Sequence, residues 1–568
     1  MIEGLRPEIA ALANNSSDVL IIGGGINGIS IMRDLTLQGV TTILIDRGDV
    51  MTGASAASSH MIHGGMRYLE NGEFRLVRES VIERNDLLRT APHVVKPLRT
   101  LVPIFSLTSG LFQAPLKILN HGKGHRTERG AILIGVGLII YESFSRANAV
   151  MSRFTFIGRN RARKEFPSLR ADVKFVASYF DASMHEPERL ALDLIADARA
   201  TGNAELVTYA AATAARDGGV EITDVLTGET HVVRAKVVIN ASGPLTDITN
   251  SALGRPTEFM GGTKGSHIVV DHPQLFAELA GRELFFENSD GRIVLIYPVK
   301  NKILIGTTDI FIDSNEQAVC TGQEIDYFIA LVAHVLPGIT ITRSQIVFHF
   351  SGIRPLPKQG DALPGFVSRD YRIDESTLLD APNIPVISVV GGKWTTFRAL
   401  GEHVSGIVLS GLGRQRTVTT RGLAIGGGKS FPHDDATRSL WIENHRGNLS
   451  FDRAEQLFHR YGTRAKYVLA ELNTTGDDLL DSLPAFSAQE LAFVVNTEQA
   501  VRLDDVLIRR TSLAFSGELN DKRVREVAEV MSRALGWSAA RRDEEIDRTV
   551  KLLHDRHGVD LATRQFSQ

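Results

Sequence analysis

One segment, from Asp18 to Asp46, constrains the fold of this chain more than any other. It reads DVLIIGGGINGISIMRDLTLQGVTTILID, which is an apolar run, a group of glycines, an amphipathic stretch and a second apolar run that ends on an acid. This order predicts a strand, a helix and a parallel strand, that is, a complete βαβ unit. Gly23, Gly25 and Gly28 of the unit match the pattern G-x-G-x-x-G.

Each glycine of this pattern has a mechanical role in binding a dinucleotide. Gly23 permits the tight turn, Gly25 lets the backbone approach a pyrophosphate, and Gly28 lets the helix pack closely on the strand. Asp46 stands at the end of the second strand, where an acid binds the ribose hydroxyls and disfavours a 2′-phosphate. The unit therefore predicts a dinucleotide site, but by itself it does not distinguish FAD from NAD.

The composition excludes several other classes of protein. Lys and Arg number 63 against 66 Asp and Glu, so a net charge of -3 predicts no nucleic-acid partner. Cys320 is the single cysteine, so neither a cysteine-ligated cluster nor a cysteine-rich zinc site is expected, and we predict no metal. Residues 1–17 have no apolar core of the secretory type, which predicts a flexible N-terminus and a cytoplasmic protein.

The rest of the chain indicates further domains, as its 568 residues require. Between His267 and Phe350, β-rich runs alternate with turns, which predicts a mixed or antiparallel sheet facing the substrate. After the linker predicted at Gly426–Gly428, the pattern becomes helical. The predicted helices there are Arg453–Tyr461, Ala488–Asn496, Asn520–Leu535 and Ser538–His557.

Seven segments, in this order along the chain and beginning within the βαβ unit, carry a family resemblance. They are IIGGGINGI, ASSHMIHGGMRYLE (57–70), KGSHIVV (264–270), IGTTD (305–309), SGIRPL (351–356), SRDY (368–371) and GGKWTTFR (391–398). Together they resemble the FAD-dependent glycerol-3-phosphate dehydrogenases, membrane-associated respiratory enzymes of the glycine/D-amino-acid oxidase-like superfamily. The later segment DVLIRRTSLAF (505–515) is similar to the C-terminal region of the same family.

The resemblance implies an α/β fold built around a Rossmann-like FAD-binding domain. That domain is expected to be discontinuous, over residues 18–105, 175–265 and 351–410. A mixed or antiparallel β substrate domain is expected at 106–174 and 266–350, with a segment that faces the membrane, and an α-helical C-terminal cap at 426–568. The implied reaction oxidises sn-glycerol 3-phosphate to dihydroxyacetone phosphate, with a hydride passing to flavin N5 and electrons passing to a membrane quinone.

The resemblance also assigns candidate site residues. Arg354 and Lys393 match the phosphate-binding positions of the family, and cationic side chains are what bind a phosphomonoester. Since alcohol oxidation needs a base at the hydroxyl, His63 is the first candidate and His267 the second. Arg67, Tyr68 and Arg369 are supporting substrate residues. The predicted FAD-binding residues are Gly23, Gly25, Gly28, Asp46, Ser58, Ser59, Gly64, Gly65, Gly243, Gly391, Gly392 and Thr395.

Departures from the family pattern leave the substrate open. His60 stands where the family usually has lysine, and the segment from His185 to Leu190 differs from the usual acidic motif. Erythritol phosphate or another short polyol phosphate therefore remains an alternative, as do an amine or amino-acid oxidase of the same superfamily and a flavin-containing sensor. Oxygen remains an alternative acceptor to quinone, and a homodimer remains open.

The apolar run from Ala131 to Tyr141 bears on membrane contact. Its 11 residues fall short of the roughly 20 that a membrane-spanning helix needs. It follows the basic stretch from His121 to Arg129, and this pairing predicts peripheral contact on the cytoplasmic face of a membrane. The alternative is a buried helix that follows a solvated loop.

Overall fold

The computed structural model of the protein describes residues 6, 8, 9, 12, 16–65, 72–106, 131–145, 151–287, 293–313, 316–358 and 370–561. Three predicted site residues, Arg67, Tyr68 and Arg369, lie outside the described residues, as does the basic stretch from His121 to Arg129.

The strands run in chain order as follows: β1 Ser17–Ile22, β2 Thr42–Ile45, β3 Met61–Ile62, β4 Val95–Ile104, β5 Thr155–Gly158, β6 Phe175–Met184, β7 Ala204–Val207, β8 Ala210–Arg216, β9 Gly219–Asp224, β10 Thr230–Val233, β11 Ala235–Asn240, β12 Thr263–Val270, β13 Arg282–Glu287, β14 Ile293–Val299, β15 Lys302–Gly306, β16 Ile310–Phe311, β17 Ile346–Arg354, β18 Arg372–Thr377 and β19 Pro385–Val390.

The α-helices follow in the same way: α1 Ile26–Leu37, α2 Phe74–Thr90, α3 Ala131–Ser145, α4 Arg159–Glu165, α5 Pro187–Arg199, α6 Thr246–Ala252, α7 Pro273–Leu279, α8 Gly322–Val335, α9 Phe397–Gly411, α10 Asp435–His445, α11 Phe451–Tyr461, α12 Ala465–Thr475, α13 Ala488–Thr497, α14 Asp521–Leu535 and α15 Ala539–His557. Short 3-10 turns occur at Gly243–Leu245, Arg343–Gln345, Trp394–Thr396, Gly426–Gly428 and Gly462–Arg464, and a π-helical turn at Asp505–Arg510.

The first sheet is the dinucleotide-binding core. Within the described residues it has six strands in the order β18-β19-β11-β1-β2-β7, and β1 runs parallel to both β2 and β11. Strands β1 and β2 are buried throughout, as a parallel sheet covered on both faces requires. The side chains of α1, α5 and α9 pack on one face, and those of the β8-β9-β10 sheet on the other. The predicted βαβ unit and the α/β fold class are confirmed.

The second sheet lies next to the first and is mostly antiparallel. Its main path through the described residues is β16-β12-β15-β14-β13-β4-β6-β3, with β17 paired to β12 and β5 to β6. Strands β3, β4 and β6 pair here, although their residues fall within the ranges assigned above to the FAD-binding domain. Helix α8 covers one face of the sheet, and the C-terminal helices cover the other.

The C-terminal region is helical, as predicted. Each of the four predicted helices is present and differs from its predicted ends by no more than two residues, because capping residues mark those ends. For example, Asn520 caps the start of α14, and Gly536 ends it in the left-handed conformation. The glycines predicted as a linker, Gly426–Gly428, are buried, and a Cβ on any of them would overlap neighbouring atoms. This segment is therefore packed against both parts that it joins.

Candidate functional site

The turn between β1 and α1 forms a close-packed glycine cradle. A Cβ on Gly28 would lie 2.0 Å from the carbonyl oxygen of Gly23, so no larger residue fits there. The Asp46 carboxylate accepts hydrogen bonds from the backbone N–H of Gly24 at 2.7 Å and of Gly48 at 2.8 Å. Burial raises the pKa of Asp46 to about 6, although these two N–H groups oppose the rise. Asp46 thus holds the cradle in shape as well as standing at the predicted ribose position.

The residues around the cradle fit FAD. Helix α1 begins after Gly25, which has no side chain to cap it, and Ser55 Oγ accepts the N–H of Ile26 at 3.0 Å. The positive end of the helix dipole points at the position expected for a pyrophosphate. The buried Oδ1 of Asn27 has no hydrogen-bond partner among the described residues. Gly392, with φ +103°, lies so close that a Cβ there would meet Asn27 Nδ2 at 2.8 Å. A polar group of a bound cofactor would donate the hydrogen bond that this buried Asn27 oxygen lacks.

The loop 58–65 meets the segment 391–395 directly. The carbonyl oxygen of His63 accepts hydrogen bonds from Thr395 Oγ1 at 3.0 Å and from Lys393 Nζ at 3.3 Å. Trp394 Nε1 donates to the carbonyl oxygen of Ser55 at 2.9 Å. Gly391, with φ +88°, provides the backbone bend that precedes Lys393, Trp394 and Thr395. The fold therefore brings together two segments more than 320 residues apart in the chain.

A buried polar cluster supports the same loop from behind. The N–H of Gly64 donates to the Tyr141 hydroxyl at 2.9 Å and to Asp181 Oδ1 at 3.1 Å. Arg84 donates to both of these acceptors, at 2.7 and 2.8 Å, and is itself buried. The sequence does not predict this cluster, since the chain positions of Arg84, Tyr141 and Asp181 give no sign that they meet.

His267 lies on β12 in a fixed orientation. Its Nε2 is 2.8 Å from Ser59 Oγ, and its ring stacks on Phe350 with centroids 4.8 Å apart. Burial, with the nearby Arg354 cation, holds the pKa of His267 well below its usual range. The imidazole is therefore neutral at physiological pH.

Arg354 ends β17 beside His267. Its guanidinium donates to Asp309 Oδ1 at 2.8 Å, to the Thr308 carbonyl at 2.8 Å and to Thr307 Oγ1 at 2.9 Å. The Arg354 side chain is 18% exposed, so it is neither fully buried nor a solvated surface charge. The three acceptors belong to the segment IGTTD. This segment is one of those that carry the family resemblance, but the resemblance assigned no role to its residues.

The other predicted residues that the structure describes form local hydrogen bonds or allow turns of the backbone. Ser58 Oγ accepts a hydrogen bond from the N–H of His60 at 3.2 Å, and Gly65 has a positive φ of 75°. Gly243, with φ +63°, opens the 3-10 turn after β11. His60 stacks on Phe515, and burial lowers its pKa to about 3, so this chain places a neutral ring where the family usually has lysine.

Comparison with known proteins agrees with this arrangement. Residues 18–405 match the family model described as FAD dependent oxidoreductase. Residues 418–542 match the model described as the C-terminal domain of alpha-glycerophosphate oxidase. The fold and the cradle thus define a flavin-dependent oxidoreductase with a helical C-terminal domain.

Individual relatives narrow the class. A glycerol-3-phosphate dehydrogenase from Synechocystis is 32% identical over 95% of this chain and 96% of that protein. The mitochondrial glycerol-3-phosphate dehydrogenase of Bos taurus is 29% identical over 99% of this chain and 76% of that protein. The chain belongs to the glycerol-3-phosphate dehydrogenase family of FAD-dependent oxidoreductases, and FAD is its cofactor.

Solved structures share the fold. The glycerol-3-phosphate dehydrogenase from Bacillus halodurans, complexed with FAD, superposes with a TM-score of 0.73 at 22% identity, covering 99% of this chain and 98% of that one. The L-alpha-glycerophosphate oxidase from Mycoplasma pneumoniae, with FAD bound, gives a TM-score of 0.51 at 16% identity, covering 72% of this chain and 98% of that one.

Proposed function

We propose that the protein oxidises sn-glycerol 3-phosphate to dihydroxyacetone phosphate and passes the electrons to a membrane quinone. The observation that carries this proposal is the placement of a guanidinium, Arg354, and a neutral imidazole, His267, on the same face of adjacent strands, where His267 contacts Ser59 of the predicted FAD-binding loop. An anion site beside a base is what the oxidation of a phosphorylated alcohol needs.

Arg354 binds the phosphate in this proposal. Its hydrogen bonds to Asp309, Thr307 and Thr308 fix the guanidinium plane before the substrate arrives, which lowers the entropy lost on binding. Lys393 supplies a second cation near His63, and its backbone directly precedes the 3-10 turn Trp394–Thr396. Arg67, Tyr68 and Arg369 remain candidates for the same role.

His267 accepts the proton of the substrate hydroxyl. Its ring is neutral and held by Ser59 and Phe350, whereas the described contacts of His63 to the cofactor segments use its backbone carbonyl. His63, which the family resemblance ranked first, becomes the second candidate in this proposal. Bound FAD supplies the hydride acceptor, and its pyrophosphate is held by Gly23, Gly25, Gly28 and the N-terminus of α1.

The helix α3 provides the membrane contact. Ile134, Leu138 and Tyr141 pack into the protein, while Val136 and Ile139, on the opposite side, are 50% and 56% exposed. Phe156, also exposed, lies against Gly135 of the same helix. Among the residues that the structure describes, no helix has the length and apolar character to cross a membrane. We propose that this apolar face rests in the lipid interface where a quinone is reached.

Anaerobic titration of the FAD-loaded protein tests the reaction. Glycerol 3-phosphate is expected to bleach the flavin absorbance at lower concentration than erythritol phosphate, glycine or D-alanine. Reduction by erythritol phosphate alone would move the assignment to a longer polyol phosphate, and reduction by an amino acid would replace it with an oxidase. Turnover with a soluble quinone analogue, compared with turnover in air, identifies the acceptor.

The substitution Arg354→Met tests the phosphate site. Losing a charged hydrogen bond of about 2 kcal/mol should raise KM for glycerol 3-phosphate by about 30-fold. Arg343→Met is the matched control, since Arg343 is an exposed arginine that pairs with Asp326 at 2.6 Å. An unchanged KM in the Arg354 variant would remove this residue from substrate binding.

A further inference from the structure

Strand β12 presents different side chains to its two faces. His267 and Gly265 lie on the face that carries Arg354, since a Cβ on Gly265 would meet the Arg354 guanidinium. Lys264 and Ser266 lie on the opposite face, which α8 covers. The residues behind the proposed phosphate site are therefore separated from it by one strand only.

On the face of β12 that α8 covers, the polar side chains bind one buried carboxylate, Glu324 of α8. It accepts hydrogen bonds from Lys264 Nζ at 2.8 Å and from Ser266 Oγ and Thr308 Oγ1 at 2.7 Å each. It also completes the capping box of its own helix with Thr321. Burial opposes ionisation, but these donors hold the pKa of Glu324 below its usual range, so it remains charged at neutral pH.

Thr308, two residues after the end of β15, forms hydrogen bonds with residues on both faces of β12. Its hydroxyl binds Glu324 and also accepts the N–H of Ser266 at 2.9 Å, whereas its carbonyl oxygen accepts from Arg354 at 2.8 Å. The neighbouring Thr307 hydroxyl accepts from the same guanidinium at 2.9 Å. A shift of the Thr308 backbone would therefore move two of the acceptors that fix Arg354.

We infer that Glu324 is a positioning residue for substrate binding, which acts through Thr308 to set the orientation of the Arg354 guanidinium. This inference rests on the proposed function of Arg354. Glu324 lies on the far side of the strand and acts only through other residues. Its substitution is therefore expected to weaken binding of the phosphate end and to leave the flavin and the proton transfer in place.

Two variants of one residue make the sharpest test. Thr308→Val keeps the shape of the side chain but removes the hydroxyl that binds Glu324, whereas Thr308→Ser keeps that hydroxyl. Thr308→Val is expected to raise KM for glycerol 3-phosphate about tenfold with kcat changed less than about twofold. Thr308→Ser keeps the hydroxyl but lacks the methyl group, and its KM should stay near the wild-type value. If packing of the methyl group were what matters, Thr308→Ser would raise KM and Thr308→Val would not.

Glu324→Gln tests the carboxylate itself. It should raise KM by a similar factor, and the double variant Glu324→Gln/Thr308→Val should raise KM no more than the larger single effect, because both changes reach Arg354 through Thr308. The matched control is Asp326→Asn, an exposed acid two residues further along α8, which should leave KM unchanged. FAD content and the thermal midpoint are measured for every variant.

The results separate this inference from the function on which it rests. If Arg354→Met raises KM while Thr308→Val does not, Glu324 has no positioning role and the inference is wrong. The same conclusion follows if Thr308→Val lowers FAD content or the thermal midpoint at an unchanged KM. If Arg354→Met itself leaves KM unchanged, the proposed phosphate site has failed, and the network behind it then serves the fold alone.

Discussion

Gly265 determines how closely the Arg354 guanidinium can lie against its neighbouring strand. A Cβ at Gly265 would come within 2.1 Å of Arg354 Nη2 and 2.4 Å of its Cζ, far inside van der Waals contact. These atoms are the far end of the long Arg354 side chain, so a movement of the guanidinium would relieve the clash. A site that depends on the position of Arg354 should therefore be sensitive to one methyl group here.

The substitution Gly265→Ala is predicted to impair substrate binding more than stability. We expect KM for glycerol 3-phosphate to rise about tenfold, with a change in the free energy of unfolding of about 1 kcal/mol or less. Steady-state kinetics and denaturant titration measure the two effects. Gly406→Ala is the control, because a Cβ there meets nothing within 4 Å. A wild-type KM in the Gly265 variant would show that Arg354 does not need this space.

At this scale the sequence predicts candidate site residues but not their hydrogen-bond partners. His267 and Arg354 are candidates because they stand in segments that resemble a family, and the glycine cradle is predicted because its spacing has a mechanical cause. Asp309, Thr308 and Glu324 were missed because acids and threonines are common, and nothing local indicates which strand faces which helix. Burial and hydrogen bonding across the sheet supplied that information.

Among the elements, α3 shows most clearly how a sequence pattern can be ambiguous. The apolar run Ala131–Tyr141 lies in a helix of 15 residues, Ala131–Ser145, whose described part carries apolar side chains on two opposite sides. One side packs against α2 and β6, and on this side the Tyr141 hydroxyl accepts the hydrogen bond from the N–H of Gly64. The other side exposes Val136 and Ile139. The packed side is what the alternative of a buried helix expects, and the exposed apolar side is the one proposed above to contact lipid.

The double variant Val136→Asp/Ile139→Asp is predicted to weaken membrane binding. Each charge placed in the lipid interface opposes insertion, so partitioning onto vesicles that contain anionic lipid should fall at least about tenfold, or about 1.4 kcal/mol. Vesicle sedimentation with the FAD-loaded protein measures this. Leu440→Asp, at an exposed leucine of α10, controls for added charge. If the wild-type protein stays in the supernatant at low salt, α3 does not bind lipid.

Element types were more predictable than element partners. Periodicity and caps predicted the four C-terminal helices to within two residues, because a capping side chain acts locally. Helices α10 and α12 were not predicted, and neither was the π-helical turn Asp505–Arg510. The membership of β4 and β6 in the second sheet was also missed, since strand pairing between distant segments leaves no local signal.

At the scale of the whole molecule, one carboxylate joins the C-terminal domain to the cofactor domain. Asp49 follows β2 by four residues and is fully buried. It accepts hydrogen bonds from Arg510 at 2.7 and 2.9 Å and from Arg509 at 2.6 Å. Burial disfavours its charged form, but the Arg510 and Arg509 cations hold the pKa of Asp49 below its usual range. Since Asp49 lies three residues after Asp46, the C-terminal helices brace the turn that holds the glycine cradle.

The substitution Asp49→Asn is therefore predicted to loosen both the domain contact and the cofactor. Removing the charge leaves two buried arginines with one compensating carboxylate fewer, which should cost about 3–5 kcal/mol of unfolding free energy. Denaturant titration, followed by circular dichroism and by the fluorescence of released flavin, should show FAD leaving at lower denaturant than in the wild type. Asp172→Asn, at an exposed acid paired with Arg170, should cost no more than about 1 kcal/mol. If Asp49→Asn lost stability while FAD was released at the wild-type midpoint, the brace would serve the fold without serving the cofactor, because the cradle would have kept its shape without it.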